Sequence, residues 1–222
     1  MKTRFKATEF LILVVMVLPI LYLASVYGSL PSRVPTHFRY DGTPDDYSKK
    51  SFLWILVSLM SVLSLGLYLL MRFLPSIDPK KKAKYSAAVF QKIGMAVVLL
   101  LCAINCFVIY SSKAGSGSIG GFLPVILGIF FAFLGNLMHS IKPNYFAGIR
   151  TPWTLESEET WRKTHQLGGK LWFAGGLVLA VSGLLFPLAT MKIVMPVVIA
   201  ILVIWPIAYS YLYYKSIEKK IK

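Results

Sequence analysis

Six long apolar runs constrain this chain more than any other feature of its sequence. Each has the length of about 20 residues that an α-helix needs to cross the hydrocarbon core of a bilayer. Only 15% of the residues are charged and 56% are hydrophobic, whereas soluble domains carry about 25% charged residues. The sequence therefore predicts an all-α integral membrane protein, a bundle of six transmembrane helices with one structured outer loop and one structured inner loop. The predicted spans are Thr8–Gly28, Phe52–Leu74, Ala88–Tyr110, Ile119–His139, Gly169–Ala189 and Ile193–Tyr214.

The distribution of basic residues predicts the orientation of these spans. The net charge is +15, and cytoplasmic loops of membrane proteins accumulate Lys and Arg. An even number of spans places both termini on one side. With the termini inside, few basic residues lie outside: Arg33, Arg39, Lys49, Lys50, Lys113 and Lys192. We therefore expect a multi-pass protein of the cell membrane with cytoplasmic amino and carboxyl termini, and we attribute the positive charge to topology rather than to nucleic-acid binding.

Two connections between the spans are long enough to hold structure of their own. The first, Ser29–Ser51, would lie outside, and the second, Ser140–Gly168, would lie inside. We therefore divide the chain into three regions. Residues 1–51 hold the first helix and the outer loop, 52–118 hold helices two and three, and 119–222 hold helices four to six with the inner loop 140–168.

Glycines recur at every seventh position in the fourth and fifth spans. Because seven residues nearly restore the same helical face, each span presents a strip of small residues. Such strips let two helix backbones approach closely in lipid. We expect these two spans to pack directly, with Gly128 and Gly176 near their crossing. The strips are Gly121, Gly128 and Gly135 in span four, and Gly169, Gly176 and Gly183 in span five.

The inner loop contains signals for a short helix near its centre. Thr151 precedes Pro152, which favours extended backbone at the threonine. Either Thr154 or Ser157 can cap a following helix whose first turn is acidic. These features predict a short interfacial helix that leads into span five. In the alternative, the loop is a docking surface for a cytoplasmic partner, with Arg150 as a planar donor to a carboxylate or phosphate.

The loop also contains a dense pattern of residues: the run from Gly148 to Leu155, then Glu158, Glu159, Trp161, His165, Gly168, Gly169 and Lys170. This pattern closely resembles the signature of the SdpI family of bacterial membrane proteins. The outer loop is similar to a small domain of unknown function that often precedes this signature. That second likeness is carried by residues 30–38 together with Asp41 and Gly42.

The resemblance implies a function in immunity. A family member would protect a bacterium against a secreted peptide toxin and would also signal by recruiting a cytoplasmic transcriptional repressor, without binding nucleic acid itself. Membrane lipid is the further implied partner. The resemblance places partner-binding residues in the inner loop at Arg150, Thr151, Pro152, Trp153, Thr154, Glu158, Trp161 and His165. It places toxin-facing residues in the outer loop at Pro35, Thr36, His37, Phe38, Asp41 and Gly42.

The residues themselves give no support to enzymatic activity. The histidines His37, His139 and His165 lie in different segments, and no catalytic triad or phosphate-binding loop can be assembled. Three carboxylates in the outer loop have no calcium-loop spacing, and we interpret them as solvated turn residues. We expect no enzyme, no cofactor and no metal.

A rival interpretation comes from the order of spans and loops. Each half of the chain consists of a span, a long loop and two further spans, and the two long loops would lie on opposite sides. An inverted repeat has this layout, and such repeats are typical of secondary transporters. The alternative function is therefore a small transporter, or a protein that handles lipids or peptides. Asn105, a polar residue within span three, would either bond to a neighbouring helix or line a substrate path.

Overall fold

The computed structural model describes residues 7–38, 44–77, 87–114 and 122–221. Within these ranges, five helices are long and apolar enough to cross a membrane, and one apolar helix is shorter. The predicted membrane bundle is thereby confirmed. The elements in chain order are α1 (Ala7–Val26), β1 (Arg33–Phe38), β2 (Pro44–Lys49), α2 (Phe52–Ile77), α3 (Ala87–Ala114), α4 (Phe122–Met138), α5 (Pro152–Glu156), α6 (Glu158–Leu185) and α7 (Leu188–Ile221).

One end of the bundle is closed by an antiparallel hairpin of β1 and β2. Val34 of β1 is fully buried in a hydrophobic cluster with Leu23 of α1, Leu53 of α2 and Ile109 of α3. The hairpin therefore rests on the ends of three helices. We call this the hairpin end.

The opposite end holds the long loop that connects α4 to α6. Leu74, near the end of α2, and Phe90, near the start of α3, are buried together. Phe146 and Ala147 of the loop pack against them. Arg72 and Glu9 form an ion pair of 2.6 Å between α2 and α1. Since α2 runs from the hairpin to this cluster, the two structured loops lie at opposite ends of the bundle. We call this the loop end.

The two glycine strips meet where α4 packs against α6. A Cβ atom placed on Gly128 would lie only 2.5 Å from the carbonyl oxygen of Gly176, which is closer than real Cβ contacts. A Cβ on Gly169 would lie 2.8 Å from the carbonyl oxygen of Gly135. Glycine is therefore required for the two backbones to touch. Gly183 is buried in α6, and Gly121 lies outside the described residues.

The structure differs from the sequence-based boundaries at the fifth span. The helix begins at Glu158 rather than at Gly169 and runs without interruption to Leu185. The predicted interfacial helix corresponds only to α5, a single turn of five residues. The polar first turns of α6 are helical because they pack against the loop and α7. The length of an apolar run does not predict such tertiary packing.

The second difference is the hairpin, because the first long loop is structured, as expected, but as two strands that the all-α prediction did not include. Its two strands contain Pro35 and Pro44, and proline weakens the strand signal of a short segment. The register also shifts between Pro35 and His37, which breaks the alternation of apolar and polar side chains. The buried Val34 holds the strand where the local sequence signal is weak.

Candidate functional site

The loop between α4 and α5 is ordered around a buried asparagine. Asn144 is 2% exposed, and its side-chain oxygen accepts hydrogen bonds from the backbone nitrogens of Phe146 and Ala147 at 2.7 and 2.8 Å. Its amide nitrogen donates to the carbonyl oxygens of Lys142 and Ala147. The side chain of Asn144 therefore stabilises a tight turn within the loop.

A stacked pair of rings on α6 forms the centre of this site. The rings of Trp161 and His165 lie 4.1 Å apart with 17° between their planes, and both residues are almost fully buried. The indole nitrogen of Trp161 donates to the carbonyl oxygen of Ile141 at 2.8 Å. The indole of Trp161 is therefore not exposed to water at the membrane surface, contrary to the interfacial role that its residue type suggests.

His165 is held as a neutral imidazole by two backbone groups. Nδ1 lies 2.8 Å from the carbonyl oxygen of Trp161, which can only accept a hydrogen bond. Nε2 lies 3.0 Å from the backbone nitrogen of Ile149, which can only donate. The proton must therefore sit on Nδ1, and a second proton on Nε2 would remove the acceptor for Ile149.

Gly148 lets the loop pass directly over this histidine. Its φ is +108°, a backbone conformation that residues with a side chain rarely adopt. A Cβ atom at this position would also collide with Nε2 of His165. The signature glycine is therefore needed both for the turn and for the close approach to the imidazole.

The segment after the loop is a pair of capped helices. Thr151 is extended (φ −110°, ψ 161°) and caps α5, with reciprocal hydrogen bonds between Thr151 and Thr154 that form a capping box. Ser157 caps α6 by accepting from the backbone nitrogen of Thr160 at 3.1 Å. Of the two residues proposed to cap a helix, Ser157 does so, whereas Thr154 is buried inside the box.

Helix α7 fastens α5 from the side. The indole nitrogen of Trp153 donates to the hydroxyl oxygen of Ser210, and the Trp153 ring makes an edge-to-face contact with Tyr211 at 5.2 Å. The hydroxyl oxygen of Thr151 lies 3.5 Å from that of the fully buried Ser210. The segment that resembles the family signature is therefore completed by Ser210, a residue almost 60 positions later.

The predicted partner-binding residues divide into two groups by exposure. Arg150, Pro152 and Glu158 are exposed, and the guanidinium of Arg150 donates to the carbonyl oxygen of Tyr145. Tyr145 and Leu155 are 38% and 39% exposed beside them. We call Tyr145, Arg150, Pro152 and Leu155 the loop face. The other predicted residues are buried or, for Trp153, half-buried: Thr151, Trp153, Thr154, Trp161 and His165.

Sequence reasoning missed three residues that hold the site together. Neither Asn144 nor Gly148 was predicted as a site residue, although Gly148 belongs to the run that carries the resemblance. Asparagine two residues before a turn and glycine beside a buried ring are signals that could have identified them. Ser210 gives no such signal, because it is one serine within an apolar run.

At the hairpin end, the exposed surface comes mostly from β2. Nδ1 of His37 lies 2.5 Å from a carboxylate oxygen of Asp45, and the ring of Tyr47 is 43% exposed. Lys50 fastens the base of the hairpin, because its Nζ donates to the carbonyl oxygen of Tyr27 at 3.2 Å and lies 4.7 Å from the centre of that ring.

The structure places the predicted toxin-facing residues unevenly. Pro35 is buried and Thr36 is half-buried, with a hydroxyl oxygen that is inaccessible and has no partner. His37 is exposed. Phe38 pairs with Pro44 through the strand register. Asp41 and Gly42 lie outside the described residues.

Two family models and one characterised relative match the chain. Residues 140–210 match the SdpI/YfhL protein family, and residues 14–61 match a domain of unknown function, DUF1648. The chain is 26% identical to Immunity protein SdpI of Bacillus subtilis (strain 168) over 200 residues, 89% of this chain and 92% of that protein. No solved structure matches it. The resemblance predicted from the sequence is thereby confirmed.

Proposed function

We propose that this membrane protein, with an SdpI-family region at residues 140–210, confers immunity against a secreted peptide toxin. The observation that carries the proposal is the similarity to Immunity protein SdpI along nearly the whole of both chains. In support, both regions matched by family models contain segments anchored on the helices: the strands of the hairpin in one, and Phe146 and Ala147 of the long loop in the other. These segments lie at opposite ends of the bundle. A protein of this form can contact a peptide on one side of the membrane and a partner on the other.

The toxin would meet the hairpin end, which faces outward in our proposed orientation. The exposed His37 and Tyr47 offer ring surfaces, and tyrosine is enriched in protein-binding sites because it combines apolar area with a polar tip. The exposed Asp46 adds an acidic group for a basic peptide. Pro35 and Thr36 would act indirectly, by shaping the strand.

The cytoplasmic partner, a transcriptional repressor by the family resemblance, would meet the loop face. Arg150 can bind a carboxylate or phosphate with two parallel hydrogen bonds, and Tyr145 and Leu155 provide apolar area beside it. The buried Thr151, Thr154, Trp161 and His165 would position this face without touching the partner. Glu158 is exposed at the start of α6 and lies at the edge of the proposed contact.

Survival of a toxin-sensitive bacterium that expresses the protein would test this function. Cells would be challenged with the secreted peptides of the source organism, at matched membrane levels of each variant. We expect protection by the wild type and a loss of protection in Tyr47→Ala. Lys49→Ala, an exposed change on the same strand, is the control. Absence of protection by a correctly inserted wild type would overturn the proposal.

A reporter gene controlled by the repressor would test the loop face separately. We expect Arg150→Ala to abolish induction by the toxin, whereas Arg162→Ala, an exposed arginine in the first turns of α6, should leave it intact. Equal induction in the two variants would show that the loop face has no role in signalling.

The transporter alternative receives less support from the helix contacts. In the first half, α1, α2 and α3 all contact one another, whereas in the second half α6 packs against both α4 and α7. Two copies of an inverted repeat would be expected to share one pattern of contacts. Immunity therefore remains the proposed function.

A further inference from the structure

One face of α7 is buried at every fourth position in the second half of the helix. The buried residues on this face are Leu202, Pro206 and Ser210, whereas most of their neighbours are exposed. The face packs on two glycines of α6. A Cβ atom on Gly175 would lie 2.7 Å from Cδ2 of Leu202, and one on Gly168 would lie 3.8 Å from Cβ of Pro206. The small residues of α6 therefore let α7 lie close along it at these positions.

Pro206 interrupts the backbone hydrogen bonds of α7. Because proline has no N–H, the carbonyl oxygen of Leu202, four residues earlier, has no donor at the usual place within the helix. Leu202 is 3% exposed. Inside a bilayer no water can pair with such a carbonyl, and a neighbouring helix has to supply the donor.

The indole of Trp172 supplies this missing hydrogen bond. Its Nε1 donates to the carbonyl oxygen of Leu202 at 2.9 Å. Trp172 is half-buried on α6, and in the sequence it lies between Gly168 and Gly175. Its ring also makes an edge-to-face contact with Phe131 of α4, with 5.3 Å between the ring centres. We call the bond between Trp172 and Leu202 the latch.

The part of α7 beyond the proline is the part that holds the loop. Ser210, one turn after Pro206, accepts a hydrogen bond from the indole nitrogen of Trp153. Further along, the hydroxyl group of Tyr213 donates to a carboxylate oxygen of Glu159 at 2.8 Å. Both contacts require α7 to continue in one direction beyond Pro206. A helix can bend where proline interrupts its hydrogen bonds, so the latch fixes that direction.

We propose that Trp172 is a positioning residue for the loop face, because its bond to Leu202 fixes how α7 continues beyond Pro206. Through Ser210, that direction determines where α5 and the adjacent Arg150 lie. The consequence for a cytoplasmic partner rests on the function proposed above, whereas the effect on α7 does not depend on it.

The distance between two spin labels, measured on the full chain in lipid, would test the effect on α7. The labels would be attached through Gln166→Cys on α6 and Ser216→Cys on α7, two exposed positions, after replacement of the native cysteines. We expect a narrow distribution of distances with Trp172 present. Trp172→Phe keeps an aromatic ring but loses the donor, and it should broaden the distribution several-fold. Trp205→Phe, the same change at an exposed position beside the proline, should leave it narrow. An unchanged width in Trp172→Phe would overturn the proposal.

Pro206→Ala provides the comparison that separates the latch from simple packing. Alanine restores an N–H that can donate to the carbonyl oxygen of Leu202, so the indole is no longer needed. In this background Trp172→Phe should leave the width of the distribution unaltered, because the two changes act on the same hydrogen bond. Equal broadening in both backgrounds would overturn the proposal. If Trp172→Phe alone does not fold, folding of the double variant supports the latch and misfolding of the double variant contradicts it.

The reporter gene described above would show the consequence for the loop face. Induction by the toxin should fall several-fold in Trp172→Phe and should return in the double variant with Pro206→Ala. Full induction in Trp172→Phe, despite a broadened distribution, would contradict the positioning role. Absence of induction in the wild type would count against the proposed function, whereas the spin-label distances would still decide on the latch.

Discussion

Nε2 of His165 accepts a hydrogen bond of 3.0 Å from the backbone nitrogen of Ile149. This bond joins a transmembrane helix to the loop that carries the exposed Arg150. Because Nδ1 of the same ring is bound to the carbonyl oxygen of Trp161, the imidazole cannot rotate without losing both partners. The histidine therefore fixes where the loop face lies relative to α6.

We expect His165→Ala to destabilise the loop end by about 1 to 3 kcal/mol, since it leaves the backbone nitrogen of Ile149 without its acceptor. Unfolding in a denaturing detergent, together with proteolysis of the loop at its basic residues, would measure the change. The exposed His139 supplies the control, because His139→Ala removes the same ring without these contacts. Equal stability of the two variants would contradict the positioning role.

Gly148→Ala should destabilise the protein by about 1 to 3 kcal/mol, because a positive φ is strained for alanine and its methyl group would collide with His165. Gly66→Ala on α2 meets nothing within 4 Å and should be neutral or stabilising, since alanine is the better helix former. Thermal unfolding of both variants in detergent would compare them. A destabilised Gly66→Ala variant with an intact Gly148→Ala variant would reverse the expectation.

Gly176→Ala should weaken the packing of α4 on α6. Unless α4 moves away, the added Cβ would lie 2.4 Å from the backbone nitrogen of Ala132. Such overpacking typically costs about 1 to 3 kcal/mol. Gly128→Ala should behave similarly, because its Cβ would meet Ala180 and Gly176. The change would be measured by detergent unfolding and by the efficiency of a cysteine cross-link between the two helices. Unaltered cross-linking in both variants would show that the helices do not need the glycines.

The bond between Trp153 and Ser210 should be measurable by a double-mutant cycle. Trp153→Phe and Ser210→Ala should each cost about 1 kcal/mol, the usual net contribution of a hydrogen bond. The double variant should cost little more than either single one, because both changes remove the same bond. Additive effects on the free energy of unfolding would show that the two side chains act independently.

Much of the fold could be predicted from local sequence. The spans follow from apolar run length, because each segment enters the bilayer on its own hydrophobicity. The glycine strips identified two helix faces, since residues seven apart share a face whatever surrounds them. The extended Thr151 and the Ser157 cap depend only on immediate neighbours.

Other features depended on contacts between distant segments. The hairpin is anchored by Val34 within a cluster of three helices, so its own weak strand signal did not reveal it. The polar start of α6 remains helical because it packs on the loop and on α7. A span predicted from the length of an apolar run takes no account of such packing.

The sequence by itself determined a helical membrane bundle, its glycine-lined helix faces and the resemblance of its loop to a known family. Only the tertiary structure decided which signature residues are exposed. Thr151 and Trp153 contact Ser210 of α7. Trp161 and His165 are buried and bond to Ile141 and Ile149 of the loop, whereas Arg150 stays exposed on the loop face. The physical reason is the sequence separation of the interacting residues. Insertion into lipid depends on the hydrophobicity of residues within one segment, whereas burial of a loop depends on helices that are far away in the chain.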